Sequence, residues 1–258
     1  MTLTVGFLGY RFMGRAHANA LARLPMFFPD APETERHVLV GRDAAALARA
    51  ADPLGFATTA TDWREAIDEV DVFYVLAPNA LHAEPSVTAL DAGVHVLCEK
   101  PLAADLDDAE RMAAAADASD ATAAVAFNYR FLPAVARAKR LVESGEIGEI
   151  RAFRGRYLQD WLSDPEAPWS WRTDAAVAGS GALGDLGAHT LDLARYLVGD
   201  VAAVSGHTRT FVDERPDPES DGTKPVTVDD AATAQLAFEN GAMGTVEVSR
   251  VAPARKND

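Results

Sequence analysis

Short apolar runs separated by alanine-rich stretches set the pattern of the first half of the chain. The runs lie at residues 3–8, 38–40, 72–76, 94–98 and 122–127, each of strand length. Between them, residues 14–24, 44–51, 80–92 and 105–118 are rich in alanine, the strongest helix former. Continuous apolar strands that alternate with helices predict β-α-β units and a parallel sheet covered on both faces. The rhythm changes after about residue 126. Helices are expected at 132–144 and 183–197, with Gly145 and Gly199 just past their ends. Around them, strand-like segments at 150–159, 201–212, 226–238 and 243–251 follow one another with few helices between. That arrangement predicts a mostly antiparallel sheet packed on one side by helices. The chain therefore reads as an α/β domain over residues 1–125 and an α+β domain over 126–258. Residues 213–225 (DERPDPESDGTKP) carry too little apolar surface for a core and are expected to form a mobile loop.

The junction of the first strand and first helix holds Gly9, Tyr10, Arg11, Phe12, Met13 and Gly14. Backbone N–H groups at such a helix start favour an anionic pyrophosphate, and small residues let the chain approach it. The Gly-x-Gly-x-x-Gly spacing is imperfect, because Arg11 stands at the middle glycine. Arg11 can pair with a phosphate or point to solvent. A plain strand-to-helix turn would use the same glycines. At the end of the second strand, Gly41 stands where a carboxylate usually binds the ribose 2′-hydroxyl of NAD. Arg42, next to it, suits a 2′-phosphate, so this site favours NADP over NAD, although Asp43 can still reach the ribose.

Composition narrows the partners. There are 24 basic and 39 acidic residues, a formal net charge of −15, and the lysines are only Lys100, Lys139, Lys224 and Lys256. Such a surface repels phosphate backbones and argues against a nucleic-acid partner. Cys98 is the sole cysteine, so no intrachain disulfide forms. No apolar run is long enough to span a bilayer, and the start of the chain has no leader pattern, so a cytoplasmic protein with no membrane partner is expected.

Three segments together carry a resemblance: VGFLGYRFMGRAHANAL from Val5, APNALHAEPSVTALDAGVHVLCEKPL from Ala77, and SGALGDLGAHTLDLARYLVG from Ser180. FNYRFLPAV from Phe127 and ENGAMGTVEVSR from Glu239 add to it. The chain resembles the glucose-fructose oxidoreductase, inositol dehydrogenase and rhizopine-catabolism (Gfo/Idh/MocA) family of oxidoreductases. The resemblance implies a Rossmann dinucleotide-binding domain followed by an α+β substrate domain. It implies an NAD(P)-dependent dehydrogenase or reductase acting on a sugar or polyol, with Lys100, Asp185 and His189 in the active site. It places Pro78 and Asn79 beside the cofactor, with a cis Lys100–Pro101 bond, and it implies a homo-oligomer. Ala77, Glu99 and Lys100 are further cofactor-site candidates, as is His82, three residues after Asn79, for which capping a helix is the other reading. Family members usually continue beyond the final strand seen here, so a shortened chain with a bare sheet edge is expected. A cofactor-binding regulator without turnover is the competing reading.

The residues suit that chemistry. The unperturbed pKa of a histidine lies near neutrality, so His189 is suited to carry the proton of a substrate hydroxyl. Asp185 lies four residues earlier, on the same face of a helix, and can orient the imidazole or bind a hydroxyl. In isolation, the pair is also an ordinary helical i,i+4 contact. Lys100 at a strand's C-terminal end can stabilise alkoxide character. Asn128 and Arg130, after the last parallel strand, and Trp171 and Arg172, before the second helix, are candidates for the substrate pocket. For the tryptophan segment, domain packing is an equal reading. Asp185, His189 and Asp192 share a face but lack further His or Cys support, so no metal is expected. Cys98 and His17 read as packing residues.

The acidic balance generates the first prediction. Salt screens self-repulsion, so the melting temperature should rise as potassium chloride is raised from low to molar concentration. A melting temperature indifferent to salt refutes a salt-adapted surface.

Overall fold

A computed structural model describes residues 2–257 of the chain, which divides into two compact units, Met1–Ala126 and Phe127–Asp258. The first unit runs β1 (Thr2–Leu8), α1 (Phe12–Phe27), β2 (Glu33–Val40), α2 (Ala44–Leu54), β3 (Thr58–Ala60), α3 (Arg64–Ile67), β4 (Val72–Val75), α4 (Ala83–Asp91), β5 (His95–Cys98), α5 (Leu106–Ala118) and β6 (Ala123–Val125). The six strands form one sheet in the order β3-β2-β1-β4-β5-β6, and the pairings are all parallel. Two cores cover it. Val38, Val40, Phe73, Val75, Val96 and Cys98 belong to one, while Val5, Phe7 and Leu39 pack in the other with Leu47 of α2. Alternate side chains of each strand therefore leave water on opposite faces, which explains the unbroken apolar runs. The order in which strands are added reverses between β1 and β4, and in sheets of this order ligands bind outside the carboxyl ends of the strands at that switch point.

The second unit runs α6 (Pro133–Glu143), β7 (Ala152–Leu158), α7 (Ala175–Ala178), α8 (Ala188–Val198), β8 (Val201–Arg209), β9 (Glu214–Pro216), β10 (Thr223–Pro225), β11 (Ala231–Phe238) and β12 (Met243–Ser249). Its main sheet has the order β7-β12-β11-β8; β12 pairs with β7 in parallel and β11 pairs antiparallel with both its neighbours. The sheet is thus mixed and mostly antiparallel. Alternation along β11 and β12 turns Ala232, Leu236, Phe238, Val246 and Val248 onto Ala182, Leu186 and Ala194 of the helical layer. Thr233, Gln235, Thr245 and Glu247 lie on the opposite, exposed face.

Three expectations need correction. The segment 213–225 is not an irregular loop. Its ends pair as β9 and β10, and Arg215 within it is completely buried. Hydropathy misses this because carbonyls of a distant segment meet the guanidinium: Nη1 donates to the Asp164 carbonyl at 2.9 Å and Nη2 to that of Leu162 at 2.8 Å. The strand expected from residue 226 begins only at Ala231, because Asp229 and Asp230 turn their carboxylates to backbone N–H groups elsewhere. Asp229 accepts from Gly181 and Leu183, and Asp230 from Phe211 and Val212. The bonds to Phe211 and Val212 come just after β8, which stops at Arg209 instead of residue 212. The helix expected over 183–197 is also not uniform, since Leu183–Gly187 is a π-helical turn that continues into α8.

Burial lowers the Arg215 pKa, while the carboxylates of Asp230 and Asp164 oppose that shift. Replacing Arg215 by Met removes the side-chain donor to the Leu162 carbonyl, one of the two donors to the Asp164 carbonyl, and a cation that compensates buried Asp230. The expected cost is about 2–4 kcal/mol, read as a lower denaturant midpoint. An unchanged midpoint would show that the buried guanidinium contributes nothing.

Candidate active site

In the first unit, residues from three strand ends come together. Gly9–Gly14 follow β1, Ala77–Asn79 follow β4, and Glu99 and Lys100 follow β5. Gly9 has φ +123°, and a Cβ there would meet the Leu76 carbonyl oxygen at 2.8 Å. A Cβ on Gly14 would run into the Gly9 carbonyl. Both glycines are therefore required for the chain to fold back this tightly. No side chain caps α1, and no acidic residue stands in its first turn. A sixteen-residue helix with an uncapped positive end, lying at the sheet's reversal point, fits a dinucleotide pyrophosphate. Arg11 and Phe12 are exposed there, and Met13 is half-buried.

Position 41 is a glycine for a local reason. A Cβ would approach Cε1 of Tyr10 to 2.5 Å, so a carboxylate side chain there would displace the Tyr10 ring. Arg42 is exposed, whereas Asp43 uses Oδ1 to accept the Ala46 N–H at 3.0 Å and cap α2.

Polar struts brace Lys100 along the chain. Glu99 is buried; its Oε1 lies 2.9 Å from His17 Nε2, and its Oε2 accepts the Lys100 N–H at 3.1 Å. The Lys100–Pro101 peptide is cis. His82, grouped with the cofactor residues above, is fully buried. Its Nε2 lies 2.8 Å from the Ala77 carbonyl, and its Nδ1 lies 3.0 and 3.2 Å from those of Pro101 and Leu102. Burial lowers its pKa despite those acceptors. The ring thus ties the loop after β4 to the loop after β5 and presents no open edge to a ligand. Cys98 is buried as well, and burial pushes its thiol up to about 12, so it is no nucleophile at neutral pH.

In the second unit, Asp185 sits in the π-helical turn and His189 in the first turn of α8. Small residues allow this segment to pack down. A Cβ on Gly181 would overlap the Asp229 carbonyl, one on Gly184 would overlap Ser180 Oγ, and Gly187 faces Val248 of β12. The turn is held from below by Asp229, whose Oδ1 and Oδ2 accept Gly181 N–H at 2.7 Å and Leu183 N–H at 2.8 Å. Arg250 is buried beside it, donating to the carbonyls of Asp229 and Arg172 at 3.1 Å each. Desolvation lowers the Arg250 pKa, and the carboxylate of Asp185 is the largest opposing influence. A fixed cation thus lies near the Asp185 carboxylate. π-Turns of this kind recur at functional sites.

His189 is buried among aromatic rings. Tyr129 stacks on it with centroids 4.5 Å apart and planes 29° apart, and Phe127 meets it edge-on at 6.1 Å. Tyr157 lies 6.1 Å away and shares a 2.6 Å hydroxyl contact with Tyr129. Burial and that contact hold the Tyr157 phenol above its ordinary pKa. Phe127 and Tyr157 escaped sequence reasoning. The only signal for Tyr157 was its alternating position on β7, which turns it toward the helical layer.

The remaining candidates separate. Arg130 reaches α8, where its Nε lies 2.9 Å from Asp192 Oδ2, and Asn128 is exposed at the start of the same short turn. Arg172 stacks on Trp171 with 4.4 Å from guanidinium carbon to ring centroid. Among the described residues, no cluster of three His, Cys, Asp or Glu side chains is arranged to hold a metal, and no helix is long and apolar enough to cross a membrane. A concavity of about 800 Å³ lies on the sheet's exposed face between Arg154, His207 and Glu247. That face is opposite the one covered by α8.

Residues 3–127 match an oxidoreductase family described by its NAD-binding Rossmann fold, and residues 135–258 match the GFO/IDH/MocA C-terminal domain. Levoglucosan dehydrogenase of Pseudarthrobacter phenanthrenivorans is 44% identical over 99% of this chain, which spans 69% of that protein. A solved structure of levoglucosan dehydrogenase with NADH and levoglucosan superposes with a TM-score of 0.96 at 45% identity, covering 100% of this chain and 69% of the other. An NADP(+)-dependent D-xylose 1-dehydrogenase of Haloarcula marismortui is 35% identical over 71% of this chain and 52% of its own length. The chain belongs to the Gfo/Idh/MocA family of oxidoreductases.

Proposed function

We propose that this chain binds a nicotinamide dinucleotide on its first unit and transfers hydride between that cofactor and a hydroxyl-bearing carbon of a sugar or polyol. The observation that carries the reading is the 44% identity, over nearly the whole chain, to a dehydrogenase that acts on an anhydrosugar. The nicotinamide supplies the hydride acceptor or donor. The protein supplies the rest. His189 takes the hydroxyl proton as the carbon is oxidised and returns it in the reverse direction. Asp185, near the Arg250 cation, holds a substrate hydroxyl or the imidazole. The Lys100 ammonium donates to the reacting oxygen as alkoxide character develops. Arg130, Asn128, Trp171 and Arg172 are proposed to border the sugar. A cytoplasmic location, where nicotinamide pools are maintained, suits this reaction. The exposed face of the second sheet is the surface we assign to self-association.

We further propose NADP as the preferred cofactor. Gly41 offers no ribose-binding carboxylate, Asp43 accepts the Ala46 N–H to cap α2, and Arg42 is open to a 2′-phosphate. The relatives divide on this point, with NADH in the levoglucosan dehydrogenase structure and NADP(+) in the name of the xylose enzyme.

Two predictions test the reading. Turnover should appear in a panel of levoglucosan, xylose, glucose and inositols with either cofactor, and His189→Ala should lower kcat by about 10²–10⁴-fold. Near-normal turnover of that variant removes His189 from the reaction, and cofactor binding without turnover of any sugar favours a regulator. Arg42→Ala should lower kcat/KM for NADP by about tenfold or more and leave NAD nearly unaffected. Equal losses for both cofactors would place Arg42 outside the 2′-phosphate site.

A further inference from the structure

We propose that Tyr129 is a positioning residue that fixes the plane of the His189 imidazole. The inference rests on the proton-carrying role proposed for His189 and adds how that ring is aimed. An imidazole on a helix can rotate about its last side-chain bond, and that torsion is broad and soft. Proton transfer needs one nitrogen at hydrogen-bond distance from the reacting hydroxyl, so rotation costs rate. Here the ring has a near-parallel aromatic neighbour on one side, with centroids 4.5 Å apart, and the Phe127 edge at 82° on another. A rotated imidazole would strike one of the two.

The aromatic plate is itself held twice. Its hydroxyl contacts that of Tyr157 at 2.6 Å, which anchors it to β7. Its neighbour in sequence, Arg130, clamps the Asn128–Phe131 turn to α8. The Arg130 Nε lies 3.1 and 2.9 Å from the two carboxylate oxygens of Asp192, and Nη2 also donates to Oδ1. That carboxylate is buried, and the Arg130 guanidinium also covers the Tyr196 ring at 4.9 Å. Asp192 stands three residues after His189 on the same helix, so the clamp and the imidazole share one rigid element. Such a bidentate pair holds register better than a single contact. Tyr129 is thus pinned at its hydroxyl by one element and through its backbone by another, with His189 beneath its face.

The test uses the full chain without ligand, followed by kinetics. Two-bond 1H–15N correlation spectra report the ring state of each histidine, and His189→Ala assigns the signals of His189. In the wild type and in Tyr129→Phe, which keeps the plate, His189 is expected to show one tautomer with sharp signals. In Tyr129→Leu it should show tautomer-averaged, broadened signals. With the best substrate of the panel, Tyr129→Leu should lower kcat by about 10–100-fold with cofactor KM unchanged within about twofold, while Tyr129→Phe stays within about threefold of the wild type. If Tyr129→Leu does not fold, Tyr129→Met, which also removes the flat ring but fills more of its volume, should broaden the His189 signals in its place. Unaltered His189 signals in Tyr129→Leu, or in Tyr129→Met where that variant stands in, overturn the proposal. If His189→Ala keeps its turnover, the proton-carrying role fails, and the spectra still decide whether Tyr129 positions the ring.

Discussion

The second unit depends on one carboxylate that accepts two backbone N–H groups. Asp229 lies in the irregular segment before β11, yet it does for the helical layer what a cap residue does for a helix, binding Gly181 and Leu183 where intrahelical acceptors run out. This fixes where the π-helical turn begins, and therefore where Asp185 and His189 point. Gly181 is the counterpart of that bond, because any side chain there would run into the Asp229 carbonyl. Arg250 closes the arrangement with bonds to the carbonyls of Asp229 and Arg172 from a buried position. Apolar packing of α8 on β11 and β12 supplies the burial, but burial alone does not choose the register. The directional bonds of Asp229 and Arg250 choose it.

The first unit solves the same problem with different groups. Parallel strands buried on both faces bring their carboxyl ends together, which leaves loops of little apolar content to be ordered. His82 orders two of them by facing carbonyls from the loops after β4 and β5, and the His17–Glu99 pair links α1 to the end of β5. Each is a buried polar side chain satisfied by backbone or by a single partner, the condition under which such burial is tolerated. The loops that carry Ala77–Asn79 and Lys100 are therefore fixed by chemistry, while the sheet fixes only their neighbourhood.

That division explains what could be read from the sequence. The parallel sheet was legible because burial on both faces writes unbroken apolar runs; β4 and β5 fall within the runs at 72–76 and 94–98, whereas β2 begins at Glu33, ahead of its run at 38–40. The mixed sheet was legible through alternation in β11 and β12. Arg215 was not legible. A charged residue in a Pro- and Asp-rich stretch reads as solvated, and its carbonyl partners at 162 and 164 lie some fifty residues away in sequence. The late start of β11 was hidden for a similar reason, since Asp229 and Asp230 bond to segments about twenty and nearly fifty residues upstream. His82 looked like a ligand-facing group because it follows Pro78 and Asn79, and only the three carbonyls around it reveal a strut. Short-range pattern captures burial; it cannot capture polar partners chosen by the tertiary fold.

The chemistry is also partitioned along the chain. The pyrophosphate-fitting turn, Arg42 and Lys100 belong to the first unit, and the imidazole, its aromatic plate and Asp185 belong to the second. In the proposed reaction, binding of the dinucleotide depends on glycines at positions 9 and 14 and on a helix end. Proton transfer, as proposed, depends on an imidazole whose setting is made by the rings of Phe127, Tyr129 and Tyr157. Cofactor preference and proton handling therefore rest on separate groups with separate physical origins, electrostatic at the helix end and steric around the ring. Substitutions in one set should leave the other function largely additive. A change in the second unit that altered cofactor discrimination, or one at position 42 that altered the ring's tautomer, would show coupling that neither set of local contacts provides.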